Sequence, residues 1–96
     1  MIVHIVMFKL KDENKDSNIQ RVKRELDSLV EKIDELKSIE VGVNFADEAR
    51  AFDISLYSTF DSKEDLKAYA IHPEHLKVVE IIKSVATESK VVDYEI

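Results

Sequence analysis

Ninety-six residues, 45% hydrophobic and 35% charged, suit one soluble globular domain over 1–96 and leave no room for a second. The net charge of −6, with Lys and Arg interleaved among Asp and Glu, repels nucleic-acid phosphates and leaves no basic patch to bind them. The chain has no cysteine, which removes disulfides, thiolate nucleophiles and thiolate metal sites together, and no apolar run is long enough to span a bilayer.

The chain opens Met1-Ile2-Val3-His4 without a basic segment and cleavage site, so the cytoplasm is the expected location. Residues 2–11 are β-branched, apolar and too short for a core helix, which predicts a strand. His4, Val6, Phe8 and Leu10 share one face, and Val3, Ile5 and Met7 share the other. The spacing of Ile19, Val22, Leu26, Leu29, Val30, Ile33 and Leu36 predicts a helix over 17–38, with Ser17 and Gln20 as a capping box.

Residues 39–46 alternate, with Ile39, Val41, Val43 and Phe45 on one side. Residues 51–60 alternate again through Phe52, Ile54, Leu56, Ser58 and Phe60, and a turn at 47–50 makes the two runs a hairpin. Ser62 is the expected N-cap of a short helix that turns Leu66, Tyr69 and Ala70 inward. Pro73 starts another helix, where its missing N–H costs nothing. His75, Val78, Val79, Ile82, Val85 and Ala86 lie on one broad face of the segment over 74–86. A last strand over about 89–96 carries Val92, Tyr94 and Ile96 on one side.

The order β, α, β, β, α, β is the split βαβ, ferredoxin-like arrangement of an α+β domain with a four-stranded antiparallel sheet. Two helices can cover only one face of such a sheet, yet the first strand is apolar on both. A second copy of the same sheet is the simplest cover for the other face, which predicts a homodimer.

Histidine titrates nearest neutral pH, so the three His residues are the first place to look for chemistry. His75 lies on the apolar face of the last helix, Tyr69 lies in the helix before it, and His72-Pro73 turns the chain between them. An imidazole and a phenol facing an apolar cavity suit acid–base work. The imidazole takes a proton, and the phenol hydrogen-bonds the oxygen on which charge develops. The plainer alternative is a His bonded to a backbone group and a Tyr in the core. His72 and His75 with Glu74 have no third metal ligand, and the proline between them breaks the helical geometry, so His72 reads better as a cap. With one glycine there is no phosphate-cradling loop, and no nucleophile elbow or dinucleotide fingerprint is present. No cofactor or metal is expected.

The chain resembles the stress-responsive A/B barrel domain family, part of the dimeric α+β barrel superfamily. The matching residues are His4-Ile5-Val6-Met7-Phe8-Lys9-Leu10, Glu40-Val41-Gly42, Ser58-Thr59-Phe60, Tyr69-Ala70-Ile71-His72-Pro73-Glu74-His75 and Val92-Asp93-Tyr94. The resemblance implies a homodimeric α/β barrel with a cavity in each subunit between sheet and helices. Most members of the family have no assigned reaction.

A similar plant branch cyclises linear polyketides with a Tyr and a His. By that resemblance the positions fall on Tyr69 and His75, with His4 as a supporting polar group. A further His of that branch is Ile54 here, which implies a more apolar pocket wall. Related barrels include monooxygenases, and the haem-degrading kind relies on a Trp that this chain lacks. The expectation is a homodimer that binds a small apolar or aromatic ligand. The alternatives are a cofactor-independent enzyme of polyketide-cyclase type using His75, Tyr69 and His4, and a monooxygenase-like or purely structural dimer.

Overall fold

The computed structural model describes residues 1–96. Its strands are β1 (Ile2–Leu10), β2 (Ser38–Val43), β3 (Ile54–Phe60) and β4 (Ala86–Glu95). Its helices are α1 (Lys15–Asp27), α2 (Lys63–Ile71) and α3 (Pro73–Val85). The sheet is antiparallel with order β2-β3-β1-β4, so β1 lies inside it while β2 and β4 form its edges. This is the expected ferredoxin-like topology.

The alternation along β1 separates two environments. Ile2, Phe8 and Leu10 enter the core beneath the helices with Ile54, Leu56 and Phe60 of β3. Residues facing one another across an antiparallel pair share a face. Val3 therefore sits beside Tyr94 and Thr59, Ile5 beside Val92 and Tyr57, and Met7 beside Lys90 and Ser55, all on the side away from the helices. Met7, Tyr57, Val92 and Tyr94 of that outer surface are exposed within the single chain.

The first helix departs from expectation at both ends. It starts at Lys15, because Asn14 takes the left-handed conformation (φ 55°, ψ 32°) that asparagine tolerates. The capping box does not form, since the Ser17 hydroxyl donates to the Asn14 carbonyl at 3.1 Å. Regular α-helix ends at Asp27 and passes into a 3₁₀ turn, Ser28–Glu31. Leu29, Ile33 and Leu36 are buried all the same, while Val30 is exposed. Their spacing specifies which side chains face the core, and a tighter turn followed by a loop meets that need as well as a long helix does.

Both hairpin strands are shorter than their alternation predicts. β2 stops at Val43, because the Asn44 side chain accepts from the Ala46 N–H and donates to its carbonyl, forming a local turn. Phe45 consequently stands wholly exposed. β3 begins only at Ile54. Asp53 before it serves a bulge at the end of β1, where its carboxylate accepts the Leu10 N–H at 2.7 Å. In α2, Tyr69 turns inward as expected and Leu66 packs against the core, but Ala70 is exposed. Ala70 follows the inward Tyr69 by about 100° around the helix, which turns it towards solvent.

Candidate functional site

The site grows from the junction of α2 and α3. The Ser62 hydroxyl caps α2 by accepting the Asp65 N–H at 3.1 Å. Preceding a proline, His72 is held extended (φ −64°, ψ 134°), which ends α2. Its Nδ1 accepts the Glu74 N–H at 3.1 Å and so caps α3, with Pro73 in the first turn. The cap expected of His72 is therefore in place.

This break brings Tyr69 and His75 together, ring centroids 4.2 Å apart at 38°. His75 Nδ1 lies 3.1 Å from the Ala70 carbonyl. A carbonyl only accepts, so Nδ1 carries the hydrogen and Nε2 is left with the lone pair of the neutral ring. Burial lowers the basicity of His75, and repulsion from His4 and His72 acts in the same direction against the Ala70 carbonyl.

His4 reaches the same place from β1. Its ring lies 6.3 Å from that of Tyr69 and 6.4 Å from that of Phe60. Asp93, its cross-strand neighbour on β4, sets a carboxylate oxygen against Nδ1 in a short contact. That contact fixes the ring and leaves Nε2 as its free nitrogen.

A cleft of about 430 Å³ opens between the sheet and α3. Val6, Phe8 and Leu56 line it from the sheet, Val78, Val79 and Ile82 from α3, and Leu26 from α1. His4 and His75 stand at one end, and Lys83, Thr87, Glu88 and Ser89 at the other.

Tyr69 lies behind this wall rather than in it. It is 1% exposed, packed against Phe60 with ring centroids 5.0 Å apart at 57°, and its hydroxyl has no hydrogen-bond partner. Burial pushes the phenol up to about 12.

The three residues singled out from sequence thus come together at one end of the cleft, two lining it and one sealed beside them. His75 is bonded to a backbone carbonyl, as the plainer alternative has it, and it also lines the cleft. Ile54 does not form the expected apolar wall. It is packed in the core and lines a separate depression near the hairpin, while Leu56 supplies the wall. Asp93 carried no expectation, because its contact with His4 depends on a strand register between chain ends that periodicity does not specify.

A family model, the stress responsive A/B barrel domain, matches residues 2–96. The chain is 33% identical over 98% of its length to the stress-response A/B barrel domain-containing protein DABB1 of Arabidopsis thaliana. It is 38% identical over 82% of its length to a second stress-response A/B barrel domain-containing protein from the same plant. It spans 46% and 30% of these two relatives. A crystal structure from Bacteroides fragilis, of a dimeric protein of unknown function with a ferredoxin-like fold, superposes with TM-score 0.89 at 37% identity. That match covers 99% of this chain and 95% of the other.

Proposed function

We propose, from the premise that this chain belongs to the stress-responsive A/B barrel domain family, that it is a homodimeric ligand-binding domain. Its cleft takes a small apolar or aromatic molecule, and a second copy covers the outer face of the sheet, closing a barrel. One observation carries the ligand reading: an open cavity of about 430 Å³, walled by apolar side chains, ends at two imidazoles whose Nδ1 atoms are engaged. Ligand sites combine an apolar lining with a few fixed polar groups in this way.

The test is titration with a neutral alkylphenol such as 4-hexylphenol, followed by calorimetry and by NMR. Saturable binding that shifts the resonances of His4, His75 and Val79, and that Val79→Trp abolishes by filling the cleft, supports the reading. Absence of saturable binding in the wild type overturns it.

A second reading rests on the orphaned hydroxyl of Tyr69, whose ring packs against that of His75 at 4.2 Å. In a cofactor-independent enzyme, His75 Nε2 would remove a proton from a carbon next to a carbonyl. Tyr69 would donate to the oxygen that becomes the enolate, once the His75 ring turns aside to admit it, and His4 would hold a second oxygen. Deuterium exchange at the acidic carbon of an aryl 1,3-diketone measures this step. The enzyme reading requires exchange above the buffer rate that His75→Gln removes. Exchange equal in the two proteins eliminates it.

A further inference from the structure

The far end of the cleft has a chemistry of its own. Lys83 is the single lysine or arginine in the lining, on a chain whose net charge is −6. It sits about two turns along α3 from His75, or roughly 12 Å along the helix axis. Its position on the helix wheel flanks the stripe formed by His75, Val79 and Ile82, so its ammonium stands at the lip of the groove.

Lys83 forms no ion pair within the chain; Lys9, Lys11, Lys63 and Lys67 are unpaired as well, but Lys83 alone of the five lines the cleft. The one carboxylate in the same lining, Glu88, is engaged by the Lys90 ammonium at 3.3 Å. Ser89 lies in register with Phe8, on the cleft side of β4, and adds a hydroxyl at that end. The lining is therefore graded along its length: two imidazoles, an apolar stretch, then an unpaired cation beside a hydroxyl.

We infer that the cleft selects a molecule with an apolar body and a terminal carboxylate, and that Lys83 is the residue that reads the carboxylate. The inference rests on the ligand-binding reading above and narrows it to a substrate class. An apolar stem in the groove leaves the charged head at the solvent edge, where its hydration is largely kept and no buried ion is created.

The experiment compares octanoate with 1-octanol, which share the stem and differ in the head, on the wild type, Lys83→Met and Lys83→Arg. Lys83 is exposed and in the last turn of its helix, so both variants retain the core. The expected result is octanoate bound about tenfold more tightly than 1-octanol by the wild type, as a charge-assisted contact provides. Lys83→Met should lose that preference, and Lys83→Arg should keep it.

Equal affinities in the wild type, tighter binding of 1-octanol, or a preference that survives Lys83→Met would each overturn the inference. The alkylphenol titration separates the two levels. Binding of 4-hexylphenol without carboxylate preference sinks the role of Lys83 alone, whereas binding of none of the three probes sinks the ligand reading with it.

Discussion

A buried phenol oxygen without a hydrogen-bond partner costs about 1–3 kcal/mol, and Tyr69, almost wholly enclosed, carries one. Removing that oxygen should leave the packing against Phe60 and His75 intact. Tyr69→Phe is therefore expected to melt at the wild-type temperature or above, with a gain of up to about 1 kcal/mol in denaturant titration. A loss of about 2 kcal/mol or more, of the order a lost buried hydrogen bond can cause, would mean that the hydroxyl has a structural partner and is not held in reserve. That Tyr69 and His75 meet was legible in the sequence, because the two residues flank a proline turn. Their unequal exposure was not. Which ring lines a cavity and which seals it depends on the angle at His72, and no spacing rule gives that angle.

The angle between α2 and α3 is a matter of elements. Pro73 forbids a continuous helix, and the His72 imidazole supplies the cap that starts the next one. Losing a side-chain cap costs about 1 kcal/mol. His72→Ala should lower stability by about that amount, and His72→Asn, which restores an acceptor of similar reach, should recover most of it. Chemical denaturation of the three proteins checks this, and an unchanged midpoint for His72→Ala would remove His72 from the capping role. The short helices were readable because their signals are local: a serine before charged residues, and a proline after a histidine. The first helix differs from its periodicity at both ends for the opposite reason. Leu29, Ile33 and Leu36 keep helical spacing in a segment that is no longer α-helical, so periodicity recorded burial and not hydrogen bonding.

At the scale of the whole molecule, the outer surface of the sheet is the face on which the proposed dimer depends. Met7, Tyr57, Val92 and Tyr94 form an exposed apolar band across β1, β3 and β4, and contiguous bands of this kind mark interaction surfaces. The wild type should sediment as a dimer at micromolar concentration. Val92→Asp, which places a charge in the middle of the band, should sediment as a monomer with its single-chain fold retained by circular dichroism. A wild-type monomer, or a dimer indifferent to Val92→Asp, would exclude this surface. The two-sided character of β1 could be read directly from its alternation. The topology also followed from element order, because few chain paths join six such segments without crossing.

β4 lies at the rim of the sheet and is bonded along one side only, to β1. Its other side presents a row of unsaturated amides and carbonyls, the template on which strands stack into fibrils. Val91 and Val92 at its centre favour such growth. Glu88, Lys90, Asp93 and Glu95 interrupt it, acting as electrostatic gatekeepers where no proline stands guard. Asp93 thus answers to two masters, the imidazole of His4 and the colloidal stability of the rim. Neutralising it would change how the protein keeps in solution as well as what holds the His4 ring in place.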